Sequence, residues 1–173
     1  MTKAAIYLFI TTIFLIAAQV IVFNHVCLFG VAVPFIFLYT ILRLPVNLSL
    51  EWTFTISFAL GLTIDIFSDT QGMCALACTM LAALRRPVLR LYFSRDDELT
   101  DAYPSISSLG FDVYFKYTVT LTLIFCALIF IIESLDVYTF GTIILRIGAS
   151  TVLTVALLLG IDCLLHRNNE TRT

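Results

Sequence analysis

Charged residues make up only 13% of this sequence, about half the share found in soluble globular domains. That scarcity excludes a soluble fold. Histidine occurs twice, at His25 and His166, and no serine or cysteine has a base at a spacing that reads as a nucleophile with its partner. Catalysis is not expected. The chain lacks a glycine-rich phosphate loop and any His, Asp and Glu cluster with metal-ligand spacing, so no nucleotide, metal or other cofactor is expected. A net charge of −2 and a pI near 5.5 leave no basic excess for nucleic acid. The five cysteines, Cys27, Cys74, Cys78, Cys126 and Cys163, are odd in number, sit in or beside apolar runs and lack zinc spacing. They read as small packing residues.

What the sequence does have is long apolar runs: it is 60% hydrophobic, with a mean hydropathy of +1.01. Most runs are long enough for helices crossing a hydrocarbon core of roughly 30 Å. The expected fold is an all-α integral membrane protein, with residues 1–173 forming one polytopic domain. Six transmembrane helices are expected at about 4–23, 27–44, 48–67, 73–92, 113–135 and 139–165, with a loop at about 93–112. The first run is too long for a signal-peptide core and lacks a convincing cleavage site, so it is expected to stay attached.

The chain is organised around Ser57 to Met73. Asp65 lies inside an apolar segment, where an ionised carboxylate costs a few kcal/mol or more unless it finds a partner. Ser57, Gly61 and Asp65 follow at i, i+4 and i+8, giving one helix face two small side chains and the carboxylate. A neighbouring helix can approach that face closely. Ser68, Asp69, Thr70, Gln71 and Gly72 are turn and capping chemistry, which predicts a tight helical hairpin with acid at its bend.

Gln19 shares a face of the first helix with Thr12 and reads either as a hydrogen bond to a neighbouring helix or as an amide tolerated near the interface. Pro34 predicts a kink in the second helix, tolerable only where other helices cover the freed backbone. Trp52 is placed as an interfacial aromatic, and Tyr114, Lys116 and Tyr117 as an interfacial anchor. The fourth helix is rich in small residues as far as about Leu84. Its last part, after Arg85, Arg86 and Pro87, mixes basic and apolar residues like a segment lying on the membrane surface. There Arg86, Arg90 and Arg95 are expected to meet anionic headgroups, while Asp96 to Asp101 face a cytoplasmic partner or form a solvated linker. The sixth helix carries a polar stripe of Arg146, Gly148, Ser150, Thr151, Thr154, Gly160 and Asp162.

With a cytoplasmic N terminus, nine of the ten basic residues fall on the cytoplasmic side: Lys3, Arg43, Arg85, Arg86, Arg90, Arg95, Lys116, Arg167 and Arg172. The outer turns hold none, and the rule that basic loops stay inside then places both termini in the cytoplasm. Arg146 reads as the only basic residue buried in an apolar segment, at about the depth of Asp65, so the two are expected to pair. The rival is that Asp65 serves a ligand or partner while Asp69 or Glu133 answers Arg146.

Gln19, Phe29-Gly30 followed by Pro34, Gly61-Leu62-x-x-Asp65, Ser68-x-Thr70-x-Gly72 and the alanine-rich helix after them resemble the MreD family of rod-shape-determining proteins. These motifs lie between Gln19 and Ala83, and the second half resembles the family in hydropathy and helix count. The resemblance implies a non-enzymatic component of the bacterial inner-membrane cell-elongation and peptidoglycan-synthesis machinery that binds the bitopic protein MreC. Through MreC it would act with the cytoskeletal MreB, the glycosyltransferase RodA and a class B penicillin-binding transpeptidase. The family is also said to share the fold of the substrate-capturing subunits of energy-coupling-factor vitamin transporters, which implies the alternative of a small-ligand-binding subunit. A ligand binder requires a pocket opening outward, lined by residues such as Gln19, Asp65 and Arg146. A scaffold requires those residues to satisfy one another.

Overall fold

The computed structural model describes residues 2–23, 32–92, 104, 110–133 and 140–170. These residues are almost wholly helical: α1 (Thr2–Ala18), α2 (Leu38–Leu42), α3 (Leu50–Ser68), α4 (Met73–Tyr92), α5 (Phe111–Glu133) and α6 (Phe140–Glu170). A wider π turn, Gln19–Phe23, continues α1. Three stretches are long and apolar enough to cross a membrane, Leu50–Ser68, Phe111–Glu133 and Gly141–Cys163, while the apolar part of α1, Tyr7–Ile21, is shorter. Large apolar side chains such as Phe9, Phe14, Trp52, Ile66 and Val152 are exposed around the outside. An apolar exterior of that kind needs lipid or partners to cover it.

From α3 onward each helix packs on the next, α3 on α4, α4 on α5 and α5 on α6, while α1 and its π turn meet α2 and α3. The core contains Phe35, Phe37 and Phe125, whose rings meet edge to face, with centroids 5.2 Å apart for Phe35 and Phe125 and 5.7 Å for Phe37 and Phe125. That arrangement sets the positive ring edge against the negative face. Leu81, Cys78, Tyr114, Tyr117, Leu121 and Leu158 surround it, all fully buried.

The helix expected over 27–44 is helical only at Leu38–Leu42. Its first residues lie outside those described, and residues 33–35 are non-helical rather than part of a kinked helix. The reason is hydrogen bonding. Proline offers no amide, and the amides of Val33 and Phe35 are taken by hydroxyls of Ser150 (3.0 Å) and Thr154 (3.2 Å) on α6. Non-helical backbone survives at membrane depth only where the protein itself supplies such partners.

Two further corrections concern α4 and α5. Helix α4 does not stop near Leu84 but continues through Pro87 to Tyr92, with Arg85 and Leu89 buried against the bundle and Arg90 and Leu91 exposed. Tyr114 and Tyr117 are fully buried and are not an interfacial anchor. The acidic run from Asp96 to Asp101 and its neighbour Arg95 lie outside the described residues.

Candidate functional site

The α3–α4 hairpin is built as its residue types demand. Ser57, Gly61 and Asp65 are all buried on the face of α3 that meets α4. A Cβ on Gly61 would lie 2.6 Å from the Cα of Ala75 and 2.6 Å from the carbonyl oxygen of Cys74. Only glycine permits that approach. Helix α3 ends at Asp69, whose left-handed backbone (φ 54°) lets its amide close on the carbonyl of Asp65, a C-terminal cap of the kind glycine usually provides. Gly72, at φ 79°, turns the chain into α4.

Asp65 lies on the axis of this turn. Its Oδ1 accepts from the hydroxyl of Thr70 at 2.5 Å and the amide of Cys74 at 3.0 Å, and its Oδ2 accepts from the amide of Ala75 at 2.8 Å. The carboxylate of one helix thus caps the N terminus of the next, where orphan amides and the helix dipole both favour negative charge. The expected pair with Arg146 does not form. Arg146 Nη1 lies 3.8 Å from Glu133 Oε1 at the end of α5, the answer foreseen by the rival reading. Its side chain is 23% exposed, so it is not the deeply buried cation expected from sequence.

Gln19 holds the non-helical segment around Pro34 with both ends of its amide. Its Nε2 donates to the carbonyl of Pro34 and its Oε1 accepts from the amide of Ile36, each at 2.9 Å. With Ser150 and Thr154 on the other side, the segment is held between α1 and α6. The π turn begins at Gln19, and widened turns of this kind recur where a helix diverts a group to a special task.

A second polar cluster, missed from sequence, sits at the opposite end of the bundle. Arg43 lies 2.7 Å from Asp162 Oδ1, which also accepts from the hydroxyl of Tyr39 at 3.1 Å, and the guanidinium stacks 5.4 Å over the Tyr39 ring. Arg85, 2% exposed, donates from Nε to the Tyr117 hydroxyl at 3.2 Å. Tyr117 in turn reaches the carbonyl of Leu42 at 3.4 Å. Asp162 lies sixteen residues beyond Arg146 on α6, about 24 Å along the axis. The signal available in the sequence was Asp162 inside the polar stripe of the sixth helix. That stripe divides: Ser150, Thr151, Thr154 and Asp162 are buried, whereas Gly148 and Gly160 face outward.

Among the described residues no group of His, Cys, Asp and Glu could hold a metal ion. A lateral groove of about 430 Å³ between α1 and α3 and a small cleft beside Arg43 are lined by none of Gln19, Asp65 and Arg146. No family model, curated protein or solved structure matches this chain.

Proposed function

We propose that this protein is a non-enzymatic scaffold of the bacterial inner membrane, acting in cell elongation as the resemblance to MreD implies, with the bitopic MreC as its main partner. The observation that carries this reading is Asp65: the costliest residue of the sequence is buried with both oxygens engaged by Thr70, Cys74 and Ala75. A ligand-binding subunit would keep such a group for its ligand. Gln19 is likewise consumed inside the fold; Gln19, Asp65 and Arg146 do not satisfy one another as expected, but each is met by other groups of the fold, which leaves binding to the outer surface.

In the proposed topology the chain crosses the membrane six times, the second crossing being broken around Pro34 and helical at Leu38–Leu42, with both termini in the cytoplasm. Arg43 and Arg85 sit at the Asp162 end of the bundle, and Asp65, Asp69 and Glu133 at the other, which supports this orientation. In a background without native cysteines, Asp69→Cys and Asp136→Cys should react with an impermeant reagent from outside, and Asp97→Cys and Thr171→Cys should not. Labelling of position 97 from outside would overturn the topology.

Copurification from detergent with a candidate MreC tests the partner. Recovery of a tight complex without a water-soluble ligand supports the scaffold. A stoichiometric water-soluble small molecule found by mass spectrometry, with no MreC complex, overturns it in favour of a vitamin-type binding subunit.

A further inference from the structure

The lateral groove has walls from Leu8, Thr12 and Ile16 on α1 and from Ile56, Ala59 and Thr63 on α3, and encloses about 430 Å³. That is within the usual range of small-molecule sites, roughly 300 to 1,000 Å³. Its lining is almost wholly apolar, and two of its three threonines spend their hydroxyls on their own helices: Thr12 donates to Leu8 at 2.7 Å and Thr63 to Ala59 at 2.8 Å. Thr40 is different. It lines the groove from the short α2, is 3% exposed, and its Oγ1 has no hydrogen-bond partner among the described residues. Thr40 also borders the small cleft beside Arg43, and a buried hydroxyl without a partner is costly unless an occupant answers it.

Charge and hydrogen bonding choose the occupant. Arg86 donates to the carbonyl of Leu48, which lines one end of the groove. Among the described residues no carboxylate lies within 4 Å of Arg86, whereas Arg43 is answered by Asp162. The groove is therefore almost wholly apolar, with one unpartnered hydroxyl in its wall and, bonded to Leu48 of its lining, a cation that has no carboxylate partner among the described residues. A transmembrane helix does not fit that description. Its backbone polar groups are paired within the helix, so a helix laid in with an apolar face would answer neither the hydroxyl nor the cation. We propose that the groove holds one acyl chain of an anionic phospholipid, with the glycerol ester accepting from Thr40 and the phosphate on Arg86. This site does not depend on the scaffold reading above.

Native mass spectrometry of the full chain in detergent, titrated with phosphatidylglycerol and with phosphatidylcholine, tests the proposal. Wild type should retain one phosphatidylglycerol at least tenfold more strongly than phosphatidylcholine. Ala59→Trp, which fills the groove, should weaken retention of both lipids at least tenfold, and Ile144→Trp on the outer face of α6 should leave both unchanged. Arg86→Gln should abolish the headgroup preference while keeping phosphatidylcholine binding. Thr40→Val should weaken both lipids several-fold without lowering the melting temperature of the delipidated protein, as a merely structural threonine would not. If Ala59→Trp does not fold, Thr63→Phe and Arg86→Gln carry the test. Equal retention of the two lipids by wild type, or wild-type retention in the filled groove, overturns the proposal. So does loss of MreC copurification from Ala59→Trp with lipid retention unchanged, which would assign the groove to a partner helix.

Discussion

Replacing Asp65 by alanine separates a cap from an ion pair. The substitution leaves the amides of Cys74 and Ala75 and the Thr70 hydroxyl without their acceptor. Each buried donor left unsatisfied costs about 1 to 3 kcal/mol. Counting the two amides alone, the loss is about 2 to 6 kcal/mol, since Thr70 is half-buried and water can reach it. For a chain of this length 1 kcal/mol moves the melting temperature by roughly 2 to 4 °C, so Asp65→Ala should melt roughly 5 to 20 °C lower. Unfolding in detergent can be followed with a fluorogenic thiol dye, because Cys74, Cys78 and Cys126 are buried and Cys163, already exposed, supplies the baseline. Arg146 meets Glu133 instead, so the losses from Asp65→Ala and Arg146→Met should add within about 0.5 kcal/mol in the double variant. Recovery of stability in the double variant would show that the two charges are partners after all, and the capping argument would fail.

The other substitutions probe the remaining polar contacts and one close approach. Gln19→Leu frees the Pro34 carbonyl and the Ile36 amide and should cost about 2 to 6 kcal/mol; a melting temperature within a degree of wild type would refute the clamp. Asp162→Ala leaves the buried Tyr39 hydroxyl without its acceptor and the partly exposed Arg43 without its counter-charge and should cost about 1 to 3 kcal/mol, whereas Arg43→Met with Asp162→Leu should restore most of it in the same thiol assay. Gly61→Ala drives a methyl into the backbone of Cys74 and Ala75 and should cost at least about 1 to 3 kcal/mol. By contrast Gly148→Ala, whose new Cβ meets nothing within 4 Å, should gain about 0.5 to 1 kcal/mol; equal melting of the two glycine variants would remove the packing argument.

The hairpin was the most legible part of this fold because its information is local. Ser57, Gly61 and Asp65 announce one face, and Ser68 to Gly72 announce the turn. Where the sequence misled, the missing quantity was direction around the helix axis. Counting residues along α3 and α6 places Asp65 and Arg146 at the same end of the bundle, and Arg146 does meet an acid there, Glu133. But α3 packs on α4, and α6 packs on α5, so equal depth did not bring the two side chains together. Pro34 likewise gave warning of a break but not of its form. Ser150 and Thr154, which hold the non-helical segment, lie more than a hundred residues away, and no local pattern names them.

Hydropathy misplaced Arg85 for a different reason. It scores a basic residue against lipid and so moves it to the interface, whereas Arg85 is enclosed by protein beside Tyr117, five residues before the exposed Arg90 on the same helix. That placement also bears on orientation. At one end of the bundle the carboxylate of Asp65 is answered by backbone amides, which carry no net charge. At the other, Asp162 answers Arg43 alone, and among the described residues no carboxylate lies within 4 Å of Arg85 or Arg86. The Asp162 end therefore holds an excess of fixed positive charge inside the fold and not only in its loops. Moving that end across a bilayer would desolvate these cations as well as the loop charges, so the same residues that pack the cytoplasmic end of the proposed topology also oppose its inversion.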